Sequence, residues 1–152
     1  MNLPIDCRMA DPRDAAILTD FILVMARETE GKKLSRPTAG QGVARLLKNP
    51  RHGFYVVAEK QARVCGALMV TREWSDWRNK VFWWIQSVYV KPEYRRQGVY
   101  RALYDYTRAQ AIRKRNICGL RLYVERSNAP ARKTYETLGM KMTGYRVYEE
   151  LL

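Results

Sequence analysis

The spacing of apolar and polar positions predicts helices in the first third of the chain. The segment ADPRDAAILTDFILVMARETEG has apolar residues at helical intervals, with Asp11 as its N-cap and Gly31 at its end. A shorter helical pattern follows Pro37 and stops before Pro50. A short strand near Ile5 to Met9 precedes both helices.

The period then changes to that of strands. The runs GFYVVAE, RVCGALMVTREW and KVFWWIQSVYV are rich in β-branched and aromatic residues, and short polar turns separate them. This pattern predicts a three-stranded antiparallel meander. In the third run, strict alternation places Trp83, Ile85 and Tyr89 on one face and Trp84 and Val88 on the other. Because both faces are apolar, this strand should lie mid-sheet with helices on both sides.

The second half of the chain predicts a parallel β-α-β unit. A helical pattern from about Gln97 to Arg113 is followed by the strand-like run CGLRLYVE, Cys118 to Glu125. A helix capped by Asn128 and ending at Gly139 comes next, and KMTGYRVYEELL predicts a final strand or strand pair. The expected fold class is therefore α/β: a mixed sheet in which an antiparallel meander joins a parallel unit, with helices on both faces.

Length and composition narrow the class of protein. The 152 residues suffice for a single domain, residues 1–152, and 47% of them are hydrophobic, as in ordinary globular proteins. No apolar run approaches the roughly 18–20 residues that span a bilayer, and the N-terminus lacks the apolar core of a signal peptide. The widely spaced Cys7, Cys65 and Cys118 and the single His52 favour reduced thiols and no metal site. We therefore expect a cytoplasmic protein without a membrane anchor.

Charge is the one unusual feature of the composition. Lys and Arg number 28 against 15 Asp and Glu, a net charge of +13. Such a charge favours polyanionic partners, either nucleic acid or a cofactor that carries phosphates. The cations are scattered, and only IRKRN approaches a cluster, which a helix C-terminus explains equally well. A nucleic-acid partner is thus the less favoured alternative.

The loop KPEYRRQG, between the third meander strand and the following helix, carries the candidate chemistry. Ligands of open α/β sheets collect beyond the carboxyl ends of parallel strands, and helix N-terminal amides suit phosphate. Gly98 would let a phosphate approach the backbone, while Arg95, Arg96 and Arg101 add donors. The alternative is that Gly98 only eases a turn and the arginines are solvated. The chain has neither a G-x-G-x-x-G nor a Walker motif.

Two motifs resemble those of the GNAT superfamily of acetyl-CoA-dependent N-acetyltransferases. The residues RRQGVY, Arg95 to Tyr100, are similar to that family's [Q/R]-x-x-G-x-[G/A] signature at its first and fourth positions. SVYVKPEY resembles the strand ending before that signature, and SNAPARKTYETLGM resembles the family's later motif. The order of elements also agrees over nearly the whole chain. Tyr100 departs from the pattern, and its ring could cover the cofactor or pack into the core.

The resemblance implies acetyl-CoA as co-substrate and a set of residues that hold it. Backbone groups of the strand would pair with the pantetheine arm, loop amides would bind the pyrophosphate, and Asn128 would lie near the pantetheine or thioester. The implied residues are Val88, Tyr89, Val90, Arg95, Arg96, Gln97, Gly98, Val99, Tyr100, Arg101 and Asn128.

For catalysis, the resemblance implies direct attack on the thioester by a primary amine of a small molecule or protein. Tyr135 matches the position that often protonates the leaving sulfur, although it could be a core aromatic. Gln86 faces the substrate and could position a water, but it cannot act as a base. Glu28 and Glu30 border the acceptor region and are the better candidates for the base, with solvent-facing acids as the alternative.

Several alternatives stay open from the sequence. Glu73 and Asp76 are weaker candidates for the base. The absence of a carboxylate on the fourth strand also permits a non-catalytic acyl-CoA-binding or regulatory module of the same fold. The four tryptophans around the hairpin could line the acceptor pocket, fill the core or form a homodimer contact: Trp74, Trp77, Trp83 and Trp84. The acceptor amine itself is unknown.

Overall fold

The computed structural model describes residues 3–152, in two compact units that meet in sequence at Leu122 and Tyr123. Met1 and Asn2, the start of the N-terminal stretch weighed as a signal peptide, lie outside the described residues. The first unit contains the strands β1 (Asp6–Met9), β2 (Gly53–Lys60), β3 (Arg63–Ser75), β4 (Lys80–Val90) and β5 (Ile117–Leu122), and the helices α1 (Ala15–Glu30), α2 (Arg36–Lys48) and α3 (Val99–Arg113). The second unit contains α4 (Ala129–Thr137).

Helix α1 begins and ends as its sequence predicts. Asp11 caps a short 3-10 turn, Pro12–Asp14, that leads into α1. The amide of Arg13 donates to Asp11 Oδ1 at 2.9 Å, and the amide of Asp11 donates to Asp14 Oδ2 at 2.8 Å. This reciprocal capping box satisfies amides that a helix start leaves unpaired. Gly31 ends the helix in a left-handed conformation, with φ +62°.

The five strands form one mixed sheet in the order β1-β2-β3-β4-β5. The first four are antiparallel neighbours, and β5 lies parallel to β4. The predicted meander and the parallel β-α-β unit are therefore confirmed. Helix α3 begins at Val99, two residues later than predicted, and β5 ends at Leu122, three residues earlier.

The sheet of the first unit is packed on both faces. On one face α1 and α2 contribute Leu18, Phe21, Val43 and Leu46 to a core that includes Tyr55 and Ala67. The rings of Phe21 and Tyr89 in this core lie 4.8 Å apart. Helix α3 buries an apolar stripe of its own, which consists of Val99, Leu103 and Ala111. The α/β fold class with helices on both faces is confirmed.

The second unit departs from the prediction. Helix α4 is capped as expected, because Asn128 Oδ1 accepts from the amide of Ala131 at 3.2 Å. The predicted final strand or strand pair is wrong, since no strand occurs among the described residues after Leu122. Residues 141–152 are all exposed. A strand forms only where the backbone groups of the segment pair with those of a neighbouring strand.

Candidate active site

A β-bulge in β4 shapes the strand that leads to the candidate loop. Ala67 pairs with Tyr89 and Met69 pairs with Gln86, so Leu68 alone faces Ser87 and Val88. Ser87 has φ +49°, a conformation uncommon outside glycine. A bulge leaves the extra residue unpaired and bends the strand. The only sign of the bulge in the sequence is a small polar residue, Ser87, within an apolar run.

The bulge also corrects the predicted faces of β4. Ala67 and Met69 are two residues apart on β3 and therefore share a face. Their partners Tyr89 and Gln86 share that face as well. Tyr89 thus lies with Gln86 over α1, where it contacts Phe21, and not with Ile85 as strict alternation predicts.

Beyond the bulge, β4 and β5 separate. Their last paired residues are Ile85 and Leu122, so no described residue of β5 pairs with Val88, Tyr89 or Val90. On the opposite edge, the end of β4 remains bonded to β3, because Gly66 pairs with Val90. No strand of the first unit pairs with Val88 and Tyr89 on the β5 side, where an extended ligand can add as a strand. The Val90 carbonyl accepts from Arg95 Nε at 2.9 Å.

The loop after β4 ends in an open helix start. A 3-10 turn, Pro92–Tyr94, is followed by Arg96 and Gly98 in left-handed conformations, with φ +61° and +84°. Gly98 is the N-cap of α3, and no side chain caps this helix. The first intrahelical bond runs from the Ala102 amide to the Gly98 carbonyl at 2.9 Å. The amides of Val99, Tyr100 and Arg101 therefore point out of the positive end of α3.

Gly98 is suited to a ligand contact and has no role in protein packing. A Cβ placed on it would meet no protein atom within 4 Å. Its left-handed φ favours glycine, and the space in front of it is open. An open, uncapped helix start with a glycine at its entrance fits a pyrophosphate group.

The three loop arginines differ in their contacts. Arg95 donates to Glu28 Oε2 at 2.8 Å and to the Val90 carbonyl at 2.9 Å, and its guanidinium lies 5.6 Å from the Tyr89 ring centre. Arg101 pairs with Asp105 at 3.0 Å. Among residues 3–152, no carboxylate lies within 4.0 Å of Arg96 in an ion pair. Arg95 therefore fixes the loop to α1.

Tyr100 and Gln97 lie at the same loop. Tyr100 is half-buried in the first turn of α3, and its ring centre lies 6.4 Å from that of the buried Tyr104. Gln97 accepts from Lys60 Nζ at 2.7 Å and donates to the Glu93 carbonyl at 2.8 Å. The Gln97 side chain therefore braces the loop against β2.

Gln86 and Glu28 border the α1 side of β4. Gln86 Nε2 donates to Thr71 Oγ1 at 2.5 Å. The Gln86 Oε1 atom is the hydrogen-bond acceptor of the same side chain. Glu28 is joined to the loop through Arg95 and lines a cavity of about 540 Å³ beside α1, which Lys33 and Leu34 also line. Glu30 is exposed and pairs with Lys32 at 3.3 Å. The structure thus links Glu28 to the loop and leaves Glu30 at the surface.

The remaining candidate residues on the β3–β4 hairpin lie in different surroundings. Glu73 pairs with Arg121, and Asp76 Oδ1 accepts from the Trp77 amide at 2.9 Å. Trp83 is 1% exposed and belongs to the core, whereas Trp74 and Trp77 are 62% and 84% exposed. Trp84 is half-buried. The four tryptophans therefore form no single aromatic wall.

The other two site candidates lie in the second unit. Asn128 uses its side chain to cap α4, and Tyr135 is half-buried on the same helix. Burial raises the pKa of the Tyr135 phenol above its ordinary value.

Within residues 3–152, no group of three or more His, Cys, Asp or Glu side chains is arranged to hold a metal ion. None of the helices described in this range is long and apolar enough to cross a membrane.

The separated β4–β5 edge and the uncapped α3 define a fold that can receive an extended ligand bearing phosphates. The model of the Acetyltransferase (GNAT) family matches residues 21–140, and the chain belongs to this family. The resemblance inferred from its motifs is thereby confirmed. The family transfers acetyl groups and uses acetyl-CoA.

Solved structures agree with this assignment. The chain is similar to a possible acetyltransferase from Clostridium difficile 630, with 42% identity, 97% of each chain covered and a TM-score of 0.91. A ribosomal-protein-alanine N-acetyltransferase from Brucella melitensis biovar Abortus 2308 shares the fold at 18% identity, with 98% of this chain and 99% of that chain covered and a TM-score of 0.78. A predicted acetyltransferase with acetyl-CoA from Clostridium acetobutylicum shares it at 18% identity, with 97% and 96% covered and a TM-score of 0.77. No curated protein sequence matches significantly.

Proposed function

We propose that the protein transfers the acetyl group of acetyl-CoA to a primary amine of a small molecule or protein, by direct attack in a ternary complex. The observation that supports this most is the open start of α3 at Gly98, next to the β4 edge that β5 leaves unpaired. These two features suit the two ends of one extended cofactor, a pyrophosphate and an amide-bearing arm.

The residues of the first unit fit such a cofactor in a defined way. Backbone groups of Val88, Tyr89 and Val90 would pair with the pantetheine amides as an added strand. The amides of Val99, Tyr100 and Arg101, together with Arg96, would hold the pyrophosphate. Arg95 would act indirectly by fixing the loop to Glu28. Asn128 would lie near the pantetheine arm.

Acetyl-CoA supplies an activated thioester, and the protein has to manage two protons around it. Tyr135 would donate its phenolic proton to the leaving sulfur. A phenol of ordinary pKa near 10 already holds its proton in the neutral range, and burial, which raises the pKa of Tyr135, keeps it in this protonated form.

The acceptor amine is protonated at neutral pH and must lose a proton before it attacks. We assign Glu28 as the base, because Arg95 holds its carboxylate to the loop that we propose binds the cofactor. Glu30 is the second candidate, and Gln86 would position a water that relays the proton.

The test is a screen of amines and peptides for release of the free CoA thiol, after acetyl-CoA binding has been measured by isothermal titration. We expect binding by the protein alone and thiol release with a subset of amines. Absence of acetyl-CoA binding at millimolar ligand would overturn the proposal.

A non-catalytic acyl-CoA-binding module of the same fold is the second candidate. The observation that favours it is that β4, Lys80–Val90, carries no carboxylate. Tyr135→Phe separates the two, because an enzyme should lose turnover while it keeps its cofactor affinity. A binding module has no turnover to lose.

A further inference from the structure

The end of the sheet opposite the Gly98 loop brings together segments that the proposed acetyl transfer does not use. β3 ends at Ser75 and β4 begins at Lys80, so the turn between them lies at this end. β5 runs parallel to β4 and begins at the same end, where α3 finishes. These segments form the far end of the first unit, residues 74–80 and 112–116. Because the 15 residues of α3 span about 22 Å, the far end is well separated from the cofactor loop.

The strand register places the hairpin next to the end of α3. Trp74 of β3 pairs with Val81 of β4, and the amide of Val81 donates to the Asn116 carbonyl at 3.0 Å. Neighbouring strands lie about 4.8 Å apart, so the backbones of Trp74 and Asn116 are about 10 Å apart. The basic run RKR, residues 113–115, directly precedes Asn116. The hairpin and the basic run therefore belong to one surface.

Three large apolar side chains of the far end are exposed to solvent. Trp74 is 62% exposed, Trp77 84% and Ile112 62%. Trp74 lies near the end of β3, Trp77 lies in the turn, and Ile112 is the last residue but one of α3. Large apolar side chains grouped in this way on a surface mark a contact with another molecule or with a membrane.

The far end also has an excess of positive charge. Lys80 and the three cations of residues 113–115 are exposed. Among residues 3–152, no carboxylate lies within 4.0 Å of these four cations in an ion pair. Of the nearby acids, Asp76 accepts from the amide of the next residue, and Glu73 pairs with Arg121. The four cations are therefore free to meet an anionic partner.

The exposed apolar side chains decide which anionic partner fits. Tryptophan rings can stack on the bases of a single-stranded nucleic acid, and they also occupy the interface of a lipid bilayer. Ile112 has no ring to stack on a base, but an aliphatic side chain is stabilised when it enters the acyl boundary of a bilayer. Because all three apolar side chains lie at one end of the unit, a flat surface can contact them together.

We propose that the far end is a docking surface for an anionic lipid bilayer. Trp74, Trp77 and Ile112 enter the interface, while Lys80 and residues 113–115 contact the anionic headgroups. The protein lies on the bilayer, and none of its described helices has to cross it. The open start of α3 then points away from the lipid, so a ligand in solution reaches it in the docked protein. Docking does not depend on the proposed acetyl transfer, and its tests measure no activity.

Cosedimentation with lipid vesicles is the first test. Vesicles of phosphatidylcholine alone are compared with vesicles that also contain about 30% phosphatidylglycerol, whose headgroup is anionic. The protein should sediment with the anionic vesicles only, and high salt should release it. Its tryptophan emission should shift to shorter wavelength on binding, because Trp74 and Trp77 leave water. No binding to the anionic vesicles, or equal binding to the neutral ones, would overturn the proposal.

A variant that keeps every charge separates docking from general attraction, since a net charge of +13 draws the whole protein to anionic lipid. The double variant Trp74→Thr and Trp77→Ser should partition at least tenfold more weakly and show no shift in its emission. Its circular dichroism spectrum should match that of the wild type, because both side chains are exposed. If the variant partitions as strongly as the wild type, charge alone binds the vesicles and the docking surface is wrong.

A matched pair of charge variants tests the orientation on the bilayer. Arg113→Gln with Lys114→Gln removes two cations of the far end and should weaken partitioning about tenfold. Lys33→Gln with Arg63→Gln removes two exposed cations elsewhere in the first unit and should stay within threefold of the wild type. Both double variants have the same net charge, so an equal loss in the two would contradict the orientation.

A single-stranded oligonucleotide tests the other anionic partner. Its affinity should be the same for the wild type and for the double variant Trp74→Thr and Trp77→Ser, because only the net charge attracts it. An oligonucleotide affinity that falls at least tenfold in this variant would assign the two rings to base stacking. That result would overturn the lipid proposal in favour of a nucleic-acid surface.

Discussion

Gly98 stands at the open start of α3, where we propose that the phosphates bind. Its φ of +84° and the open space before it match those of Gly31, where φ is +62° and a Cβ would also meet nothing within 4 Å. The two glycines therefore carry the same backbone strain on substitution, about 1–2 kcal/mol, at different places in the fold. They form a matched pair for testing the cofactor loop.

We predict that Gly98→Val weakens acetyl-CoA binding at least tenfold, since its branched side chain fills the space where the phosphate would lie. Gly31→Val should lower the free energy of unfolding by a similar amount and leave the dissociation constant within twofold. Isothermal titration and urea unfolding measure the two quantities. Equal loss of affinity in both variants would show that strain, and not the phosphate site, is responsible.

Ser87 is the second residue whose backbone matters more than its side chain. It has φ +49° inside β4, which glycine adopts readily and a β-branched residue resists. Ser87→Gly should be neutral or slightly stabilising, and Ser87→Val should cost about 1–2 kcal/mol of unfolding free energy. Because the bulge bends β4 where β5 leaves it, Ser87→Val should also reduce acetyl-CoA affinity. Comparable stability of the valine and glycine variants would contradict this account.

Between elements, the ion pair that joins α1 to the loop before α3 supports Glu28 as the proposed base. Glu28 reaches Arg95, whereas Glu30, two residues further along α1, pairs with Lys32 in solvent. We predict that Glu28→Gln lowers kcat about 100-fold with little change in stability, since an exposed ion pair contributes about 0–1 kcal/mol. Glu30→Gln is the control and should stay within twofold of wild type. The reverse ranking in steady-state kinetics would move the base to Glu30.

A cluster of charged side chains joins β1, β2 and the start of α1. Arg8 donates to both oxygens of the buried Asp14, at 2.8 and 2.9 Å, and to Glu59 at 2.7 Å. Burial alone would raise the pKa of Asp14, but the hydrogen bonds from Arg8 and from the Asp11 amide outweigh it and lower that pKa. The ionised form of Asp14 is therefore the one that stabilises the fold.

The lowered pKa of Asp14 makes the stability of the fold depend on pH. The pKa of Asp14 is lower in the folded chain than the ordinary carboxyl value of about 3.9. Ionised Asp14 therefore stabilises the fold above that value, and this stabilisation is lost as the pH falls through the pKa of the folded state. Asp14→Asn should cost about 2 kcal/mol at pH 7, and the difference from wild type should shrink as the medium becomes acidic. Asp20→Asn, at an exposed pair with Arg36, is the control and should cost little at any pH. A pH-independent loss in Asp14→Asn would contradict the charge account.

The local elements were predictable because their signals lie within a few residues. The Asp11 cap, the left-handed Gly31 and the glycine before α3 follow from side-chain size and hydrogen-bonding chemistry at single positions. The bulge at Ser87 was not predictable, because it depends on how β3 and β4 align over several residues. The carboxylate partners of Arg95 and Arg8 lie on other elements of the fold. The spacing of residues along the chain does not indicate these pairs.

On the scale of the whole molecule, the C-terminal segment shows the limit of pattern analysis. The run KMTGYRVYEELL was predicted as a strand or strand pair from its own residues, as β2 was, yet only β2 forms one. A strand forms only beside a neighbouring strand that shares its backbone hydrogen bonds, and the residues of a segment do not indicate which neighbour that is. The order of the other strands was predictable, because each follows its neighbour through a short turn or a single crossover helix.

The net charge of +13 is not concentrated in one segment, because the Lys and Arg residues are spread along the chain. A field of this kind attracts polyanions over a distance that salt shortens, from about 10 Å at 0.1 M to about 3 Å at 1 M. The dissociation constant for acetyl-CoA should therefore rise several-fold between 0.05 and 0.5 M salt. Acetyl-pantetheine, which has no phosphate, is the matched control ligand and should bind with little salt dependence. Equal salt dependence for both ligands would show that the phosphates do not carry the attraction, and that the loop at Gly98 binds its ligand without help from the charge of the chain.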